Sequence, residues 1–249
     1  MSRNRFVSLF FLASLLAVSC KDEMPEGFVP TVGNLAVEPA DSSGQYNGHA
    51  FVDLGLSVNW ATCNVGAANH LQSGDYFAWG ELQPKQCYDW DAYRWMTPGY
   101  HTSYGCSKYQ VPDREFKGVW YDGFTFIGDN QITLQPSDDA ATVNWGGHWR
   151  LPTQSELAEL RKSCHWTWDA DSKGYRVVGP SGLVLFLPAA GTYSDAELRD
   201  FSESCFYPSS MIDNRSTMYI HGVYFNATDC DLTRRSRFFG HVVRAVFDK

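Results

Sequence analysis

The sequence predicts a mixed α+β domain over residues 48–249, mostly antiparallel strands with one well-signed helix at about 153–164. Three observations carry this. Short runs rich in aromatic and β-branched residues recur, bounded by Gly or Asn. A single segment combines a helix-capping pattern with helical spacing of apolar residues. Strand-like and helical segments do not alternate and no repeat is present, so a parallel sheet is not expected.

The chain begins with an export signal, residues 1–19. Arg3 and Arg5 make a basic start, and Phe6 to Val18 is an apolar run too short to span a membrane. Ala17-Val18-Ser19-Cys20 resembles a lipobox, with Ala17 where Leu is usual, so Cys20 is the expected lipidation site. Ordinary cleavage that leaves Cys20 a bystander is the alternative. Lys21-Asp22-Glu23 resembles the address that routes Bacteroidetes lipoproteins to the outer face of the outer membrane, although a charged linker would look the same. The expected location is the outer membrane, lipid-anchored and facing the exterior. Residues 20–47 hold Pro25, Pro30, Pro39 and Asp41-Ser42-Ser43-Gly44 without apolar periodicity, which reads as a flexible tether.

Within the domain, Phe51–Leu54, Trp60–Val65 and Tyr76–Trp79 read as the opening strands. Pro152 then stops the preceding segment, Thr153 offers a capping hydroxyl and Glu156 completes a capping box. Leu157, Leu160 and Cys164 follow at helical spacing, with Arg161 and Lys162 near the negative end. Tyr175–Val178 and Leu183–Leu187 flank Gly179-Pro180-Ser181-Gly182, a hairpin in which Pro180 pre-sets the turn. Met218–Phe225 and Phe239–Val246 read as two last strands joined by a polar turn around Thr228–Ser236.

A net charge of −8 without a basic block after the signal gives a phosphate backbone nothing to bind, so nucleic acid is excluded as an expected partner. Besides Cys20 there are six cysteines: Cys63, Cys87, Cys106, Cys164, Cys205 and Cys230. Outside the cytosol an even set reads as up to three disulfides with open connectivity. No two stand at Cys-x-x-Cys spacing, so neither a metal nor a cofactor is expected.

Several motifs then occur in order. They are His49–Leu56, Trp60–Ala67, Gly74–Glu81, Asp138–Ala141, Gly146–Thr153, Leu187–Gly191 and Gly240–Val246. Together they resemble the Fibrobacter succinogenes major paralogous domain of Bacteroidetes lipoproteins, across essentially the whole of residues 48–249. The Trp149-Arg150-Leu151-Pro152-Thr153 segment also resembles the formylglycine-generating, sulfatase-modifying enzymes. The resemblance implies a C-type-lectin-like fold. Departures are local: Tyr207-Pro208-Ser209-Ser210, His241 and Ala245 stand where the family usually has other residues. Cys63 and Cys164 fall together in the family motifs, which implies that they are linked. Cys205 with Cys230 and Cys87 with Cys106 are paired on position along the chain alone.

No motif assembles a catalytic site. Nucleophile-elbow, zinc-protease and phosphate-loop patterns are absent, and Cys205 and Cys230 are too far apart in sequence for the short copper-binding motif of the sulfatase modifiers. Asp138 and Asp139 are the most tempting acids, but read more simply as turn formers. Gln135-Pro136-Ser137-Asp138 and Asp169–Gly174 only approach calcium-site patterns. The aromatics between Tyr76 and Phe126 read mostly as packing, with sugar stacking as the alternative. The segment Thr192–Asn214 reads as a polar loop suited to recognition, with Tyr193, Phe206 and Tyr207 as its ligand-contacting residues. Two functions remain, with a glycan or protein ligand in the first: a non-catalytic surface binding or adhesion module, or a structural or accessory subunit of a surface assembly such as a fimbria. A sulfatase-modifying enzyme is a third, disfavoured reading.

Overall fold

The computed structural model describes residues 41–113 and 117–249. The chain divides into Met1–Thr31 and Val32–Lys249, and the fold reported below belongs to the second unit. The signal segment 1–19, Cys20, Lys21-Asp22-Glu23 and the tether as far as residue 40 lie outside the described residues.

The strands are β1 (Gly44–Tyr46), β2 (His49–Val52), β3 (Val58–Ala61), β4 (Tyr76–Phe77), β5 (Tyr121–Asp122) and β6 (Thr125–Phe126). Helices α1 (Ala140–Trp145) and α2 (Gln154–Ser163) follow. The second half holds β7 (His165–Asp169), β8 (Gly174–Val178), β9 (Val184–Pro188), β10 (Thr192–Ser194), β11 (Glu197–Arg199) and β12 (Ser204–Ile212). It closes with β13 (Tyr219–Asn226), β14 (Cys230–Ser236), β15 (His241–Val242) and β16 (Val246–Asp248). Every strand-to-strand pairing among the described residues is antiparallel, so the mixed α+β class with mostly antiparallel strands holds.

Three sheets organise the unit: β1-β2-β3-β16, β7-β8-β9 and β12-β13-β14. The first joins the two ends of the domain, with Val246 opposite Trp60. The last is the divider. In β12 and β13, Cys205 faces Phe225 and Tyr207 faces Val223, and these four side chains enter one core with Leu157 and Leu160 of α2. Phe206 and Ile220 point the other way, into a second core with Trp79, Tyr109 and Trp149. Strand alternation thus sends Phe206 and Tyr207 into different cores. Pro208 sits where the β12 register shifts, and Ser209 Oγ donates to His221 O (2.9 Å) across the irregularity. Gly222 is required opposite it, since a Cβ there would lie 2.4 Å from the Phe206 ring.

The helix at 153–164 forms as α2, with Thr153 as N-cap and a complete capping box with Glu156. The hairpin around Gly179–Gly182 forms as β8–β9. Other expectations need correction. Residues 41–47, read as the end of the tether, belong to the fold: β1 pairs with β2 and Asp41 Oδ2 accepts from Val184 N (2.7 Å). The polar turn at 228–236 is instead β14, a strand whose Asp231, Arg234 and Arg235 suit a sheet edge. Phe239–Val246 is not continuous but breaks into β15 and the start of β16. Helix α1 and strand β7 went unsigned.

The six cysteines from Cys63 to Cys230 are free thiols in this structure. Cys205 and Cys230 flank Phe225 from opposite neighbouring strands. Two strand spacings, about 10 Å, exceed the reach of a disulfide. Cys87 Sγ instead donates to Asp89 Oδ2 (3.2 Å), while Cys106 is fully buried. Cys63 Sγ lies 3.6 Å from Thr62 Oγ1, and Cys164 caps the end of α2.

Candidate functional site

The long connection from β4 to β5 is fixed by one buried cation. Arg237, just beyond β14, is wholly buried. Its Nε donates to Tyr93 Oη (2.7 Å), its Nη1 to the carbonyls of Tyr109 and Thr217, and its Nη2 to that of Lys108. The guanidinium lies 5.2 Å from the ring centres of both Trp79 and Tyr93. Tyr88 is held by Tyr76 O (2.6 Å) and Trp79 by Ser209 O (2.9 Å). Packing therefore accounts for most of the described aromatics of this segment, with Tyr100 and Tyr104 the more exposed.

At the start of this connection Gly80 takes φ +79°, and a Cβ there would lie 2.8 Å from Trp95 Nε1, which donates to Gly80 O (3.1 Å). The turn sets Glu81 inward, nearly buried, where its Oε1 accepts from Lys85 Nζ (2.8 Å) and from the Arg94 backbone N–H (2.7 Å). Lys85 Nζ also donates to Ala92 O (2.9 Å). Carboxylate and ammonium thereby strap residues 81–94 into one closed loop. Asn144 Nδ2 donates to Leu82 O (3.0 Å) and ties α1 to it.

Outside the strap runs an open groove of about 410 Å³, lined among others by Glu81, Gln83, Lys85, Arg94 and Val143. Arg94, exposed at the groove, lies with its guanidinium 4.8 Å from the Trp95 ring centre. Among the lining residues Val143 is aliphatic, while Gln83, Arg94 and Glu81 bring amide, guanidinium and carboxylate groups. Such a surface orients hydroxyl or carboxylate oxygens over an apolar patch.

The residues expected to contact ligand lie elsewhere. Phe206 and Tyr207 are 1% and 2% exposed and belong to the two cores, because β12 is covered on both faces. Tyr207 Oη accepts from Asn64 Nδ2 (3.2 Å), and burial drives its phenol pKa far up. Tyr193 is half-buried, stacked on Tyr88 (centroids 5.5 Å) and edge-on to Tyr76. The Thr192–Asn214 segment is thus two short strands and one long covered strand rather than a recognition loop.

Asp138 and Asp139 are also structural. Asp138 Oδ2 meets Lys108 Nζ and Tyr109 Oη, each at 2.5 Å. Asp139 accepts from the N–H groups of Ala141, Thr142 and Leu151, while burial raises its carboxyl pKa despite them. Asp169 Oδ1 accepts from the N–H groups of Asp171 and Ser172 in the β7–β8 turn. Among the described residues no group of three His, Cys, Asp or Glu side chains is placed to hold a metal, and no helix is long and apolar enough to cross a membrane. Sequence reasoning missed the groove because Val143 arrives from α1, far along the chain from Glu81.

None of the family models, curated proteins or solved structures compared with this chain matches it.

Proposed function

We propose that this chain is a surface-displayed, lipid-anchored binding module, non-catalytic, which engages a glycan or protein ligand through the groove beside Glu81 and Arg94. The groove itself carries the reading. Its volume, about 410 Å³, is in the range of small-ligand sites, roughly 300–1,000 Å³. Its shape is fixed in advance by the Glu81–Lys85 strap and by Trp95 beneath Arg94, so little ordering cost falls on binding. Glu81 is committed to two donors, which suits it to holding the loop and poorly to moving protons. The C-type-lectin-like architecture belongs to the same reading, supported by the order of motifs and by the capped helix α2 packed against the β12-β13-β14 sheet.

Calorimetric titration of the full chain with neutral and uronic-acid mono- and disaccharides tests the site. Arg94→Ala and Gln83→Ala are each expected to weaken binding about tenfold or more, as loss of a hydrogen bond involving a charged or amide group would do. Neither should move the melting temperature, because neither side chain supports the core. Phe124→Ala, on the exposed β5–β6 turn, serves as the neutral control. Binding that survives both groove substitutions would place the ligand elsewhere.

A further inference from the structure

We propose that the free edge of β14 pairs with the same edge of a second copy, forming a twofold dimer with a continuous six-stranded sheet. The hydrogen-bond alternation fixes which groups are available. Asn226 N–H bonds Asp229 O and Arg237 N–H bonds Met218 O, so the odd-numbered residues of β14 bond inward to β13. The even-numbered residues therefore face out. At the ends these outward groups are used: Cys230 O accepts from Arg161 Nε, and Ser236 O accepts from Phe239 N (3.3 Å). Between them, Leu232 and Arg234 present backbone N–H and C=O groups without a partner among the described residues.

This five-residue window, Asp231-Leu232-Thr233-Arg234-Arg235, is complementary to itself when reversed about Thr233. Leu232 then meets Arg234 of the second copy as a hydrogen-bonded pair, twice, which supplies four backbone bonds. Asp231 meets Arg235 of the second copy, also twice, as a directly opposed pair on one face of the sheet. Arg234 is already held by Asp213 (2.7 Å), whereas Arg235 overlies the Tyr224 ring and has no side-chain hydrogen-bond partner among the described residues. The Asp231 side chain is 80% exposed, paired with an exposed Arg161 at 3.2 Å. Charges on an edge ordinarily repel a second strand. Here they fall opposite with unlike sign. A ladder this short is small for a stable dimer, so the equilibrium is weak and dependent on concentration.

Sedimentation equilibrium of the full chain over millimolar to micromolar concentrations reads the association. The wild type should populate dimer as concentration rises. Arg235→Asp should weaken it about tenfold, because two attractive contacts become two repulsive ones, and the double variant Asp231→Arg/Arg235→Asp should restore it. Leu232→Pro removes an outward N–H that β13 does not use and should abolish dimer, with circular dichroism verifying the fold. If that variant fails to fold, the charge swap decides. A wild type that stays monomeric throughout, or association indifferent to the charge reversals, overturns the proposal.

Discussion

Arg237 and Arg244 are buried guanidinium groups that make no ion pair with a carboxylate among the described residues. Carbonyl dipoles and aromatic faces replace the missing anion for Arg237. Arg244 is served less well: it donates to Asn64 Oδ1 and to the carbonyls of Ala61 and Thr62, its Nη2 has no partner among the described residues, and burial lowers its pKa. His241 answers the same cost by staying neutral. Burial against Phe206 and Phe239 pushes its pKa down to about 3. Because the folded value lies below the unfolded one, the unfolded chain binds a proton between about pH 3 and 6.5 that the folded chain refuses. Stability from this group is complete above pH 6.5 and falls as pH drops, by about 1.4 kcal/mol per unit. His241→Leu should therefore lower proton uptake on unfolding by about one across that window, read from the slope of unfolding free energy against pH. An unchanged slope would mean that another group carries the titration. Truncation at Phe206 or Tyr207 should cost about 3–5 kcal/mol in a denaturant melt, as for other fully buried rings. A loss below 1 kcal/mol would return these rings to the surface, where the sequence reading had put them.

At the scale of elements, local signals were legible and shared ones were not. Helix α2 could be read because Thr153 and Glu156 satisfy its first N–H groups from within four residues. The β8–β9 hairpin could be read because Pro180 and the glycines around it specify the turn without outside help. Strand β12 was missed because both its faces are buried, so alternation vanishes and Pro208-Ser209-Ser210 mimics a loop. Strand β14 was missed for the opposite reason: an edge tolerates charge, and Cys230–Ser236 has the composition of a turn. Helix α1 depends on Asp139, whose side chain caps Ala141 and Thr142 and also holds Leu151 at the approach to α2. One residue thus sets the start of α1 and the entry to α2. Asp139→Ala should cost about 2–4 kcal/mol, more than a simple cap, because a buried N–H at Leu151 also loses its acceptor. Hydrogen exchange should locate the loss at Ala141, Thr142 and Leu151 together. Exchange confined to α1 would show that the Leu151 contact contributes nothing.

The whole molecule poses a question of thiols against the proposed export. Seven cysteines are present, of which Cys20 is the expected acylation site and the other six are unpaired in the fold. Four of the six are half-buried, and at three of these, Cys87, Cys164 and Cys230, the surroundings slow attack. Asp89 raises the Cys87 thiol pKa through its hydrogen bond, and burial pushes Cys164 and Cys230 up to about 11. Cys106 and Cys205, 0% and 1% exposed, are shielded outright, with burial raising both pKa values and taking that of Cys205 to about 12. Thiolate is the reacting form, so these five thiols should resist oxidation even outside the cytosol. Counting thiols then separates the two modifications, since acylation removes one thiol and each disulfide removes two. Protein taken from membranes, denatured without reductant and alkylated, should show six reactive thiols by mass. An odd count would mean that Cys20 is not acylated, and four, two or none would mean that disulfides form after all. Cys20→Ala should leave six by a different route and lose incorporation of a fatty-acid analogue. A recovered Cys205–Cys230 peptide would require β12, β13 and β14 to be ordered differently, because Phe225 of β13 stands between those two thiols.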